Sequence, residues 1–350
     1  MTVFAIARMW GQKIGAGIAV AALAFTLSGC MSADLGDLGN PVPELSAPLL
    51  KDMRTKGMKP ESPVLVRIFK EESTLEIWKQ NASGKYALLK SYPMCRWSGK
   101  LGPKTRIGDR QAPEGFYHVS AGMLNPKSQF YLSFNLGYPN RVEAALGYTG
   151  EALMVHGACS SSGCYAMTDQ AIGEIYAIVQ KALKGGQTAF QVQAYPFRMT
   201  ARNLADHRND PNFAFWKTLK QGYDSFEVTR RQPKVSVCGR RYVFDTEFEG
   251  GEPAQPLAAC PPAMTMPDAQ IASMWERQDS EMAALLSSGE TSHMTAYSDG
   301  GMHPSFRTLL QQNGAKQMAA KVSKSKYPIS RPDAALADPF PGEATGKTPQ

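Results

Sequence analysis

From Pro63 onward the chain is written in short β-type runs: Val64–Phe69, Thr74–Lys79 and Tyr86–Tyr92. Turn-forming residues, Glu71-Glu72-Ser73 and Asn81–Gly84, separate them. Runs of this length between such turns specify a β-meander, and nothing else in the chain restricts its fold as strongly. The runs 114–120 (EGFYHVS), 131–138 (YLSFNLGY) and 152–157 (ALMVHG) extend the pattern. A helix is then expected: Thr168 is an N-cap, Ile172, Ile175, Tyr176, Val179 and Leu183 share one face, and Gly185-Gly186 ends it. The run 189–197 (AFQVQAYPF) closes a mostly β domain over residues 63–197, which at about 135 residues can bury a real core.

Beyond it, residues 211–231 place Phe213, Trp216, Leu219, Tyr223 and Phe226 at helical spacing, an aromatic stripe that reads as a docking face. Residues 234–245 read as a β-hairpin, so 198–249 form a helix-and-hairpin extension of the domain. From 250 to 350 the chain is rich in Pro, Ala, Ser, Met and Gln. One helix is expected over Pro267–Leu286, and the final RPDAALADPFPGEATGKTPQ is expected to be disordered.

At the other end, Arg8 and Lys13 lead into an apolar run, Ile14–Phe25, that is too short for a membrane span of about 20 residues. Residues 1–29 therefore read as a secretory signal peptide. Its end, Leu27-Ser28-Gly29-Cys30, resembles a bacterial lipobox, which makes Cys30 the expected lipidation site and residues 30–62 a tether. Multiple acylation would hold the chain durably to a membrane. With Met31 after the cysteine, resemblance to Gram-negative lipoproteins points to the outer membrane and the periplasm. Loss of residues 1–29 takes two positive charges and no acidic ones from a net charge of +7, leaving +5, which suits an anionic wall or membrane surface. No Lys/Arg block with interleaved aromatics occurs, so nucleic acid is not an expected partner.

With Cys30 given to lipid, Cys95, Cys159, Cys164, Cys238 and Cys260 remain. In an oxidising compartment this odd number leaves at least one free thiol. The stretch MVHGACSSSGCYAM, residues 154–167, offers three readings. His156, Cys159 and Cys164 approach zinc-ligand spacing but lack a fourth ligand other than Asp169. A Cys159–Cys164 disulfide would span a four-residue loop, and Cys238 could likewise pair with Cys260. The third reading fits best: Cys164 is a nucleophile and His156 its base, since the thiolate reacts and a nearby imidazole makes it accessible at neutral pH. Cys164 follows Gly163 at a turn ahead of the helix capped by Thr168, where the helix N-terminus favours a thiolate. The amides of Gly163 and Cys164 are placed to form an oxyanion hole.

These residues resemble the active-site signature of the L,D-transpeptidase catalytic domain family (YkuD-type), in which His-Gly precedes S-x-G-C. GDRQAPEGFYHVS (108–120) is similar to the family's G-D-x-x-T-P-x-G-x-Y segment, with Ala112 in place of Thr. SFNLGYPN and FWKTLKQGYDSFE resemble the YafK-type subgroup, murein L,D-transpeptidase-like proteins that include a peptidoglycan–lipoprotein amidase. The resemblance spans residues 63–245. Many members read S-H-G-C-x-R, whereas this chain has Ser161-Ser162-Gly163-Cys164-Tyr165-Ala166, and only seven residues separate His156 from Cys164. Both departures are shared with the YafK-type subgroup and bear on the acceptor, hence on transfer against hydrolysis.

The resemblance implies an L,D-transpeptidase-like β-sandwich with the nucleophile at the start of a helix. It implies attack by Cys164 on the carbonyl at the L-centre of meso-diaminopimelate in a stem peptide, with His156 moving the proton. The acyl group then passes to an amine or to water. Peptidoglycan is the implied partner, together with an outer-membrane protein where one is attached to it; no metal or organic cofactor is implied. Ser161 is a candidate to orient His156 or to join the oxyanion site, or else to satisfy backbone. Asn135 and Tyr138 are candidates to line the donor groove, against simple turn chemistry. Ser162 reads as structural, and His118, His207, His293 and His303 carry no expected role.

Overall fold

The computed structural model of the chain describes residues 39–266, 268–289 and 299–323. The leader and Cys30 lie outside the described residues, as do the whole final stretch, residues 331–350, and His293. In chain order the elements begin with helix α1 (Ala47–Thr55) and strands β1 (Val64–Phe69), β2 (Thr74–Gln80), β3 (Tyr86–Pro93), β4 (Arg96–Trp97), β5 (Gly115–Ser120), β6 (Leu124–Asn125) and β7 (Ser133–Asn135). There follow α2 (Arg141–Ala145), β8 (Met154–His156), β9 (Tyr165–Ala166), α3 (Asp169–Lys184) and β10 (Ala189–Tyr195). The chain continues through α4 (Ala201–Asp206), α5 (Phe213–Thr229), β11 (Val235–Cys238), β12 (Arg241–Phe244), α6 (Ala269–Ser287) and α7 (Pro304–Val322).

One sheet runs β3–β2–β1–β10–β5 and the other β4–β9–β8–β7–β6. The parallel pairs are β1 with β10 and β8 with β9. Val64, Val66, Ile68, Leu75 and Ile77 of the first sheet share one core with Phe134, Val155 and Tyr165 of the second. Helix α3 contributes Ile172, Ile175, Tyr176 and Val179 to that core, with Thr168 capping it by accepting the Ala171 N–H at 3.0 Å. Over residues 63–197 the fold is the expected mostly β sandwich with one long helix, α3, after Cys164.

Every residue of β1 is buried, because its outward face is covered too. Phe69, Phe116 and Tyr195 pack there against Trp216, Leu219 and Tyr223 of α5, the aromatic stripe foreseen as a docking face. Arg67 reaches the same layer fully buried, paired with Glu227 at 2.5 Å and lying over the Tyr223 ring at 4.4 Å. A buried guanidinium is tolerated there because a carboxylate and aromatic faces replace its water.

Several boundaries differ from expectation. The run 131–138 is a strand only over Ser133–Asn135, since Gly137 adopts φ +79° and turns the chain away. The run 152–157 shrinks to Met154–His156, and α4 precedes the expected long helix as a separate turn. Within the expected tether, α1 buries Leu49 and Met53 beside Leu45 and Met58 in the main core. Asn40 also bonds Ser128 O and Tyr131 O at 3.0 and 2.5 Å, so from Asn40 the segment is docked. The expected helix near 267–286 is α6, whereas α7 was not foreseen. It buries Phe306, Met318 and Val322 around Cys95 and Cys159.

Candidate active site

His156 ends β8 and Cys164 immediately precedes β9, with Val155 opposite Tyr165 and His156 opposite Ala166. Side chains alternate along a strand. Val155 and Tyr165 therefore enter the core, while His156 faces the other way; one register step back, Met154 and Cys164 share that face. Asn135 and Ser133 of β7 stand opposite Met154 and His156 on it. The candidate nucleophile and base thus occupy one face of the second sheet.

The loop between them is fixed at each end. Gly157 N–H bonds Phe130 O at 3.0 Å and Met167 N–H bonds His156 O at 2.7 Å. Ala158 N–H bonds the Asp169 carboxylate at 2.7 Å. A Cβ on Gly157 would lie 2.5 Å from Asp169 Oδ1 and 2.8 Å from Phe130 O, which is why Gly follows the histidine. Gly163 has φ +123°, a conformation open to glycine and hardly to other residues. Cys159 is bonded to Cys95, and Cys238 to Cys260. That pairing overturns both the Cys159–Cys164 disulfide and the His156–Cys159–Cys164 metal set. Among the described residues Cys164 is the free cysteine.

Ser161, 7% exposed, is the hub of the loop. Its Oγ accepts the N–H groups of Gly163 (3.3 Å) and Cys164 (3.1 Å) and the Ser98 hydroxyl (2.7 Å), and donates to Cys164 O at 2.7 Å. The hydroxyl makes no bond to His156. The two amides expected to form an oxyanion hole point at Ser161 Oγ in this resting site, so Ser161 positions the Gly163–Cys164 turn.

Burial pushes the Cys164 thiol above its usual range, while the Met154 amide and the Lys104 charge pull it back. Met154 N–H points at Sγ at 3.4 Å, and Sγ–H faces Ala152 O at 3.8 Å. His156 is buried against Phe130, ring centroids 4.8 Å apart. Desolvation lowers its pKa to about 4. Its Nδ1–H donates to Gly157 O at 2.7 Å, which fixes the tautomer and leaves the Nε2 lone pair to accept a proton. No hydrogen bond joins His156 to Cys164 in the resting site; such contacts often tighten only around substrate. Burial thus favours the neutral form of both groups.

The helix contribution foreseen for Cys164 is displaced, because β9 lies between it and α3, and a helix end acts only within its first turn. Lys104 takes that place and was missed. It is 4% exposed, bonded to Asp109 Oδ1 at 2.5 Å and Arg106 O at 2.8 Å. Gly150 has no side chain because a Cβ there would meet Lys104 Cε at 2.6 Å. The sequence signal was a lysine followed five residues later by the aspartate of the GDRQAPEG segment. Tyr138 is buried, its hydroxyl donating to Lys104 O at 3.1 Å, so it supports Lys104 from below. Asn135 accepts Gly137 N–H at 2.9 Å, the turn chemistry weighed against a groove role. His207 stacks on Phe197 at 4.3 Å, and the His303 side chain caps α7. Ser162 is exposed on the loop, and His118 is exposed on β5.

A family model described as the L,D-transpeptidase catalytic domain (YkuD) matches residues 63–192. Proteins described as "Putative L,D-transpeptidase YafK" from two Escherichia coli strains are each 45% identical over 225 residues, covering 64% of this chain and 89% of theirs. Among solved structures, the helical cell shape determining protein Pgp2 from Campylobacter jejuni aligns at 18% identity and a TM-score of 0.32, over 54% of this chain and 79% of that one. With a family model matching residues 63–192 and relatives 45% identical over 89% of their own length, the chain belongs to the YkuD-type L,D-transpeptidase catalytic domain family.

Proposed function

We propose that the protein is a peptidoglycan-modifying cysteine enzyme, an L,D-transpeptidase acting on meso-diaminopimelate of stem peptides through a Cys164 acyl-enzyme. The observation that carries this reading is the state of the cysteines. Four are locked in disulfides, and the fifth lies on the same sheet face as a histidine whose Nε2 is free to accept a proton. His156 Nε2 takes the Cys164 proton as sulfur attacks the carbonyl at the L-centre, and the Met154 amide and Lys104 offset the charge on sulfur. The tetrahedral adduct collapses to a thioester, and His156 returns the proton to the departing amine. A second amine, or water, then attacks the thioester and frees Cys164. The proposed location is the periplasm, with Cys30 acylated and anchored to the outer membrane.

Hydrolysis is the second reading, with a peptidoglycan-linked outer-membrane protein as the released group. It is favoured by the short His156–Cys164 loop and by Ser162 standing where many members have a second histidine. Incubation of the protein without residues 1–29, wild type and Cys164→Ala, with purified sacculi and muropeptide mass analysis separates the readings. Crosslinked dimers formed by wild type alone mean transfer; freed amine-bearing fragments mean hydrolysis. An unchanged muropeptide profile overturns both.

A further inference from the structure

The loop that carries Arg110 packs directly on the residue before the nucleophile: a Cβ on Gly163 would lie 3.8 Å from the Arg110 carbonyl carbon. Arg110 adopts φ +56°, and its guanidinium meets Asp299 Oδ2 at 3.1 Å. Asp299 also receives Arg96, whose Nη2 donates to its carbonyl at 2.8 Å and lies 4.0 Å from Oδ2. Arg96 stands opposite Ala166 in the second sheet, and Ala166 opposite His156, so Arg96 belongs to the sheet face that bears His156 and Cys164. Two guanidinium groups from separate segments therefore converge beside the candidate site on one carboxylate that belongs to neither.

That carboxylate is delivered by a built connection. Gly300 N–H bonds Gly99 O at 2.5 Å, and Gly301 exchanges both backbone bonds with Trp97, at 3.0 and 3.1 Å. Cβ atoms on Gly300 and Gly301 would lie 1.8 Å from Trp97 O and 2.4 Å from Trp97 Nε1, so the Asp-Gly-Gly run is what lets the segment seat on β4. The backbone of Asp299 is thereby fixed. Its carboxylate, in contrast, forms with Arg110 a pair whose side chains are 45% and 47% exposed. Exposed pairs of this kind are weak, so a second carboxylate can exchange with Asp299 at a cost of about fivefold or less. Arg96 remains beneath as a buried cation.

We propose that Arg110, with Arg96 behind it, is a carboxylate-binding subsite for an anionic peptide substrate, and that Asp299 is its built-in competitor. The inference rests on the peptide-substrate reading for its ligand but not for its electrostatics. Substrate enters by replacing the Asp299 carboxylate with its own, which sets the neighbouring carbonyl near Cys164. Neutral or amidated peptides lack the group that makes this exchange and are selected against.

The test uses the reactivity of Cys164 toward two small alkylating reagents, iodoacetate, which carries a carboxylate, and iodoacetamide, which is neutral. The full chain is treated with each at one pH, and modification of Cys164 is followed by peptide mass analysis. Asp299→Asn is expected to raise the iodoacetate-to-iodoacetamide rate ratio by about fivefold, and Asp299→Glu to leave it within about a factor of two of wild type. Arg110→Gln is expected to lower the ratio and to cancel the gain when combined with Asp299→Asn. An unchanged ratio in Asp299→Asn overturns the proposal, and so does a gain that persists undiminished in the Arg110→Gln background, which would mark it as general surface charge. Because this readout needs no peptidoglycan, a wild-type chain inert toward sacculi that still shows the expected ratios would overturn the substrate reading and leave the subsite standing.

Discussion

Replacing Ser161 by Ala removes one oxygen at which four hydrogen bonds meet. Ser98, 1% exposed, loses its acceptor, and Gly163 N–H is left buried without a partner. The Cys164 amide and carbonyl lie nearer solvent and recover part of their loss from water. A net bond is worth ~1 kcal/mol and a buried orphan costs ~1–3 kcal/mol. Discounting the two groups near water, Ser161→Ala should cost ~2–3 kcal/mol. For a domain of this size, with an m-value of ~3 kcal/mol/M, the urea midpoint should fall by ~1 M. The same cut releases the Gly163–Cys164 turn, so alkylation of Cys164 by iodoacetamide should lose its wild-type rate and turnover should fall more than stability does. A midpoint within ~0.2 M of wild type, together with wild-type alkylation, would refute the view that Ser161 builds the turn. Retention of the midpoint with loss of turnover alone would instead return the hydroxyl to a direct catalytic role.

The buried, neutral His156 should make stability rise with pH between about 4 and 6.5: the folded-state pKa lies below the unfolded one, so the unfolded chain binds more protons across that window. The stabilisation is complete above the unfolded value and is lost as pH falls toward the folded one. His156→Gln should flatten this slope, worth ~3 kcal/mol across the window, in denaturation series at several pH values. Gly157→Ala forces a Cβ against the Phe130 carbonyl at 2.8 Å and should destabilise by ~1–3 kcal/mol in thermal unfolding, with Cys164 reactivity disturbed as well. Cys95→Ser with Cys159→Ser opens a link across 64 residues and should cost ~4 kcal/mol by the same measurement. Lys104→Met removes a charge that favours the thiolate, so the alkaline rise of Cys164 alkylation should move to higher pH; an unmoved profile would exclude Lys104 from the site's electrostatics.

What the sequence made legible follows from how local the signals are. Helix α3 declares itself by a capping threonine, a 3.6-residue apolar period and a terminal Gly pair, and each is decided within one turn of chain. Strands β1 to β3 are equally local, for their turns lie between them in sequence. The short strands β7, β8 and β9 are not. Each is two or three residues long, and its extent is set by pairing across irregular connections, Leu124 with Phe134, Phe134 with Val155 and Val155 with Tyr165. The run 131–138 carried enough β-formers to look longer than it is. Helix α7 and the docking of α1 were hidden for a related reason. Leu49, Met53, Phe306 and Met318 are scattered apolar residues in polar surroundings, and only the surfaces they meet make them core.

The candidate site divides along the same line. His156, Gly157, Ser161, Gly163 and Cys164 sit in one loop and were readable together, whereas the charge acting on the sulfur comes from Lys104, which the fold brings in from another segment. Proximity of a histidine to a cysteine suggests an ion pair, but burial opposes charge on both groups: it pushes the thiol up and the imidazole down, so each favours its neutral form. On the proposed mechanism the thiolate is then made during attack, when its charge passes to the substrate oxygen, and is not stored beforehand. A site of that kind depends on preorganised donors and fixed positive charge near the reacting atoms, here the Met154 amide and Lys104. The buried Lys104 serves that need from one side. On the other, Arg96 and Arg110 are held against Asp299 until a carboxylate of the substrate takes its place, so the field at Cys164 would be strongest when a correctly charged peptide is bound.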